Sequence, residues 1–184
     1  RHPRETLLFF GLRPDMAVVE IWPGGGWYSE ILGPVLRERG KFYLAHYAIE
    51  NPKIAGWQRT VREKQQATVA QQAALYGKPV FTAFGPPEHL AIAPAGSADL
   101  VLTFRNYHNF SPADRAKVNK SIYDALKSGG YYGIVDHTRR HNEPQTRTNG
   151  RRVDPVLVIK EVQAAGFEFV DFSNLYYRPN DALE

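Results

Sequence analysis

The sequence predicts an α/β fold, a doubly wound, mostly parallel sheet flanked by helices. Short apolar runs such as AVVEI at 17–21 and ADLVLTF at 98–104 read as buried strands. Capped, amphipathic helical stretches alternate with them, which makes the strands parallel, and the right-handed crossover rule then leaves a doubly wound sheet. A Gly24-Gly25-Gly26 turn joins the first strand to the helix that follows. There the backbone can approach a ligand closely, and free helix amides favour negative charge.

The 184 residues are read as one domain, 1–184, long enough to bury a core. With 43% hydrophobic and 23% charged residues the chain is globular, and no stretch reaches the roughly 18 apolar residues of a membrane span. The net charge of +4 and pI near 9.3 come from scattered basic residues; only Arg139-Arg140 and Arg151-Arg152 form pairs, bracketing one loop. That pattern reads as a solvated surface and argues against a nucleic-acid partner. The absence of cysteine excludes disulfides, cysteine zinc sites and a thiol nucleophile. The first residue is Arg1, so the amino end is expected to have been cut, which leaves a cytoplasmic location or, after removal of a signal peptide, a periplasmic one.

Residues 1–11 cluster Leu7, Leu8, Phe9 and Phe10 ahead of a glycine and predict a lead-in helix on the sheet edge or over the cleft. After the strand at 17–21 a helix opens near Trp27, carries Ile31, Leu32 and Leu36, and is stopped by Gly40. Residues 41–47 form the second strand. Asn51-Pro52 opens a polar helix over 54–76 with a thin apolar stripe that includes Ile54, Trp57, Val61 and Val69. The third strand is at 80–84, the fourth at 98–104, and the polar segment RNYHNF follows. Ser111 as cap and Pro112 in the first turn start a helix to Leu126, ended by Ser128-Gly129-Gly130. The fifth strand, 131–135, ends in Asp136-His137. A turn-rich stretch, 138–152, has the length of a lid or substrate loop. A capped helix over 156–165 precedes a sixth strand at 167–172.

Glu20 at the end of the first strand, followed by Gly24 and Gly26, resembles the first motif of class I S-adenosylmethionine-dependent methyltransferases. The WPGGGWY form at 22–28 resembles that of a group of bacterial predicted methyltransferases, and Leu126-Lys127-Ser128-Gly129-Gly130 ahead of an apolar strand is a second point of resemblance. Trp22 stands where the family has its first glycine. The resemblance implies a Rossmann-like class I methyltransferase fold, S-adenosylmethionine as cofactor and a small-molecule acceptor. It implies cofactor contacts from Glu20, Trp22, Pro23, Gly24, Gly25, Gly26, Tyr28, Phe104 and Arg105. In that family a carboxylate ending the second strand grips the ribose hydroxyls; here His46 stands near that place and Glu50 comes about three residues late, so both are candidates. Glu50 reads equally well as a surface carboxylate. The family also carries an antiparallel seventh strand, and the residues after 172 read as loop, so the sheet is expected to lack that strand or to be truncated there.

In an open parallel sheet the ligand sits at the carboxyl ends of the strands, where strand order reverses. The polar clusters at 20–28, 105–109 and 136–137 fall at such ends. Methyl transfer needs positioning, plus a base when the nucleophile carries a proton. His108 and His137 are the base candidates, Asn106 could hold a substrate hydroxyl or amine, and Arg105 could hold a carboxylate or phosphate bidentately. The Asp136-His137 pair reads equally as structural, the aspartate capping a turn. His108, His137, His141 and Asp136 lack paired metal-ligand spacing, and no metal is expected. A methyltransferase acting on a small molecule is thus weighed against a non-catalytic or differently liganded binding protein on the same scaffold.

Overall fold

The computed structural model describes residues 2–181. Five strands form one all-parallel sheet: β1 (Ala17–Ile21), β2 (Lys41–Tyr47), β3 (Val80–Phe84), β4 (Ala98–Phe104) and β5 (Leu126–Val135), in the spatial order β3-β2-β1-β4-β5. The chain builds outward from β1 to β3, then returns to place β4 on the other side of β1. The strand order therefore reverses between β1 and β4, which opens a crevice at their carboxyl ends. In register, Val19 lies between Tyr43 and Val101.

Because strand side chains alternate between faces, neighbouring residues of β1 feed two different cores. Val19 and Ile21 join Tyr43, Ala45 and Val101 under α5 (Pro112–Ala125) and α6 (Pro155–Gln163). Val18 joins Leu44, Leu100 and Leu102 on the opposite face. There they meet Leu7 of α1 (Pro3–Phe9), Leu32 and Leu36 of α2 (Ser29–Leu36), Val69 of α3 (Gly56–Gln71) and Tyr76 of α4 (Ala73–Tyr76). Covering both faces is what a parallel sheet of apolar strands requires.

Several boundaries differ from the sequence reading. The helix over 54–76 is two helices, broken at Gln72, and α2 begins at Ser29 because residues 22–28 are taken up by the turn. The fifth strand starts at Leu126. The register shifts between Ala98 and Leu100, and a side chain at Gly130 would crowd Leu126, Lys127 O and Asp99 O. The expected sixth strand is absent: residues 167–172 join no ladder. Phe167 packs instead on the rings of Tyr123 and Tyr132, at 5.2 and 5.7 Å, while Phe169, Val170 and Phe172 stay exposed. Alternating apolar residues supply the propensity for a strand, and backbone pairing must supply the rest. Further on, the Tyr176 hydroxyl meets Thr6 Oγ1 at 2.8 Å and the Tyr28 hydroxyl at 3.0 Å, tying the tail back to α1 and the glycine turn. No described helix is long and apolar enough to cross a membrane.

Candidate functional site

The crevice starts with the turn after β1. Trp22 sits at φ +44°, a left-handed conformation that glycine adopts freely and that costs a bulky residue about 1–2 kcal/mol. Its surroundings hold it there. The indole Nε1 donates to Phe84 O at 3.1 Å, and the ring packs against Tyr47, Phe84 and Phe110 at centroid distances of 5.4, 5.3 and 5.0 Å. The indole thus bridges the carboxyl ends of β2 and β3 and the segment after β4. Pro23 accepts from the Gly26 amide to close the turn. Gly24 and Gly25 have no heavy atom within 4 Å of where a side chain would start, so this stretch of backbone is open to a ligand. Gly26, at φ +83°, lies under the Gln65 amide, 2.9 Å from where a Cβ would sit.

Against the Trp22 indole lies a cavity of about 190 Å³, lined also by Tyr47, Asn51, Ile54, Gln58 and Phe84. It has aromatic faces and two side-chain amides. Tyr28 stacks flat on Phe104, 3.5 Å between centroids, and carries Trp27 edge-on, which gives the turn a second aromatic surface.

Glu20 is turned into the protein, away from this opening. It is 2% exposed and accepts from Ser29 Oγ at 2.6 Å, while Gln65 Nε2 donates to the same Ser29 oxygen at 3.0 Å. Burial pushes its carboxyl up to about 7, against the lowering effect of the Ser29 bond. His46 is also buried. Its Nδ1 accepts from the Tyr47 amide at 2.8 Å. Burial, reinforced by the nearby Arg62 cation, holds it down to about 4, although the Gly24 backbone favours the charged ring. Arg62 Nη1 in turn donates to Tyr47 O and Thr82 O, spanning β2 and β3. Glu50 is exposed in the turn beyond β2. His46 thus stands at the penultimate position of β2, near the Gly24 backbone and with its ring buried, and Glu50 lies in the turn just beyond that strand.

At the ends of β4 and β5 the second cluster assembles. Arg105 takes φ +61° and donates its amide to Val135 O at 2.6 Å, leaving its side chain exposed. Asn106 Nδ2 donates to Ile21 O and Trp22 O, at 3.1 and 3.2 Å. Its amide nitrogen thus clamps the end of β1 beside the glycine turn. His108 sits in the 3-10 turn Tyr107–Asn109, with Nδ1 2.8 Å from Asp136 Oδ1 and its amide 3.0 Å from Oδ2. The Asp136 side chain is 2% exposed, and its Oδ1 also accepts the His137 amide at 2.7 Å. A carboxylate has only acceptors, so the His108 proton belongs on Nδ1 and the lone pair on Nε2. His137 is exposed, and burial of part of its ring together with the Arg105 charge lowers its pKa.

The sequence reading paired Asp136 with His137 and missed its bond to His108, 28 residues away. It also missed the cavity residues Asn51 and Gln58 and the Ser29–Gln65 relay beneath Glu20. No local pattern marks them; the crossover of α3 brings them to the turn. The stretch 138–153 is knit together. Val153 N donates to His137 O, Arg139 N to Val153 O, and buried Asn149 bonds Pro144 O and the Thr146 amide. His141 Nδ1 lies 3.0 Å from Asp154 Oδ2, whose carboxylate caps α6. Among the described residues no three His, Cys, Asp or Glu are grouped to hold a metal.

No protein-family model and no curated protein sequence matches the chain. Solved structures do. A SAM-dependent methyltransferase from Aquifex aeolicus is similar at TM-score 0.63 and 17% identity, over 89% of this chain and 78% of that one. The [4+2]-cyclase SpnF is similar at 0.65 and 16%, over 92% and 57%. Human N-acetylserotonin methyltransferase, solved with SAM, is similar at 0.62 and 14%, over 94% and 48%. The chain spans about half the length of the latter two. That a cyclase stands among methyltransferases shows the scaffold carrying more than one chemistry. The strand order, the helices on both faces and these neighbours identify the architecture as the Rossmann-like class I methyltransferase fold.

Proposed function

We propose that the protein is an S-adenosylmethionine-dependent methyltransferase acting on a small molecule that carries a hydroxyl or amine. The observation that carries this reading is the His108–Asp136 pair at the ends of β4 and β5, across the strand-order reversal from the open glycine turn. The WPGGGWY form of that turn, like that of bacterial predicted methyltransferases, agrees with it.

The residues present fit the cofactor in two places. A flat base suits the cavity between Trp22, Tyr47 and Phe84, where Asn51 and Gln58 offer amide partners. The polar remainder suits the exposed backbone of Gly24 and Gly25. When bound, S-adenosylmethionine supplies a methyl group on positively charged sulfur. Asp136 holds the His108 ring and its tautomer. His108 Nε2 takes the proton of the acceptor's hydroxyl or amine, and the Trp27, Tyr28 and Phe104 rings offer an apolar wall that excludes water.

A second reading, a differently liganded or non-catalytic protein on this scaffold, is favoured by one observation. The cavity of about 190 Å³ is smaller than the roughly 300 Å³ at which small-molecule sites begin.

Calorimetric titration of S-adenosylmethionine and S-adenosylhomocysteine tests the proposal, with Gly25→Asp as control. A side chain at Gly25 meets open space and strains no backbone, so this variant folds and alters only the turn's outer surface. Micromolar binding lost in Gly25→Asp supports the reading, and absence of binding to the parent chain refutes it.

A further inference from the structure

The site proposed above carries more positive charge than it can neutralise from within. Asp136 is the carboxylate at its centre, and its oxygens already accept from His108 Nδ1, the His108 amide and the His137 amide. Around it stand cations brought in by the backbone. Arg105 is fixed beside Val135 by its own amide, and its guanidinium has no hydrogen-bond or ion-pair partner among the described residues. Arg139 is held to Val153 by its main chain, and its Nε is buried with no partner. Arg152 reaches Thr138 O and is balanced by Asp181. Residues 137–152 contain five arginines against one carboxylate, Glu143, which accepts from the Arg140 amide, while His141 is held by Asp154. The loop is stapled at its base to the end of β5 through His137 and Val153, so it leaves the sheet at the same end as His108, and Arg105 and Arg152 act on the His137 ring there.

We infer that the acceptor is an anion, a small molecule bearing a carboxylate or phosphate group, bound between the Arg105 guanidinium and the arginine-rich loop 138–152 with its reactive hydroxyl or amine toward His108. This deepens the methyltransferase reading and rests on it for the acceptor's role. Arg105 is a specificity residue here: its planar fork suits either anion, and its left-handed backbone fixes the direction from which the side chain leaves the strand end. The surroundings of His137 supply an independent gauge. Burial of part of its ring presses it toward the neutral form first, Arg105, Arg152 and His108 add to this, and Asp136 alone opposes them. An anion entering this site adds to the opposing pull of Asp136.

The test titrates inorganic phosphate and, separately, benzoate into the full chain at low salt, following binding by calorimetry and the His137 ring by NMR over pH 5–8. S-Adenosylhomocysteine is titrated into the same preparation. Saturable binding of either anion with a rise in the His137 pKa supports the inference, and the stronger of the two names the anionic group. Arg105→Asn, which tolerates a left-handed backbone, is expected to weaken binding about tenfold or more, and Arg105→Lys to restore part of it. Binding that ignores Arg105→Asn, or an absence of any binding or His137 shift, overturns the inference. So does tighter, steeply salt-dependent binding of a single-stranded oligonucleotide at the same residues. The S-adenosylhomocysteine arm keeps the two ideas apart. Cofactor binding without anion binding sinks only this inference, and anion binding without cofactor binding sinks the methyltransferase reading and the acceptor's role while leaving the anion site.

Discussion

Replacing Trp22 by glycine separates the two readings of the cleft. Truncating a buried tryptophan costs about 3–5 kcal/mol, and partial exposure places Trp22 at the low end. The loss comprises three ring contacts and the Nε1 bond to Phe84 O. Glycine also relieves the φ of +44°, returning about 1 kcal/mol. The expected net loss is therefore about 2–3 kcal/mol, read as a shifted urea midpoint at unchanged slope. If the indole is a wall of the base pocket, S-adenosylhomocysteine also binds about tenfold more weakly, the worth of one aromatic face. Calorimetry on the folded variant measures this. Unchanged affinity would show that the base sits elsewhere. Tighter binding would show that the indole stands in the ligand's own space, as the second reading requires, and would refute the argument for a wall.

Glu20 and His46 give opposite pH dependences. Between about pH 4.5 and 7 the folded chain keeps a proton on Glu20 that the unfolded chain releases, so this group makes stability fall as pH rises. Between about pH 4 and 6.5 the unfolded chain holds a proton on His46 that the folded chain refuses, so this group makes stability rise with pH. Each is worth about 3 kcal/mol, and the two oppose each other near pH 5–6. Urea melts across pH 4–8 should show Glu20→Gln rising with pH and His46→Gln falling; parallel curves for both variants would contradict this. Asp136→Asn is expected to lower kcat about 10²- to 10³-fold with little change in KM, since it frees the His108 tautomer without touching binding; an unchanged pH–rate profile would remove His108 as base. Tyr107→Phe is expected to cost about 1–3 kcal/mol, because the buried Tyr107 hydroxyl accepts from Asn119 and donates to Glu161, and a stability within 0.5 kcal/mol of the parent would show the network to be slack.

The sequence by itself determined the five strands that pair, and added a sixth at 167–172 that does not. Five strands and their connecting helices were readable because burial on both faces leaves unbroken apolar runs, and Ser111-Pro112 and Asp154-Pro155 mark helix starts through contacts a few residues long. The strand-end position of the site followed from the parallel topology. Tertiary structure alone decided what each side chain there does. Glu20 and Asn106 face inward to Ser29 and to the backbone of β1, and Asp136 takes the His108 ring as well as the His137 amide. Trp22 keeps a glycine's conformation because Tyr47, Phe84 and Phe110 enclose it, and residues 167–172 alternate like a strand yet join no ladder. Each outcome depends on partners tens of residues away. Periodicity and caps record only a residue's near neighbours, whereas an orphaned donor or an unpaired strand edge is satisfied or left open by whatever the fold brings beside it.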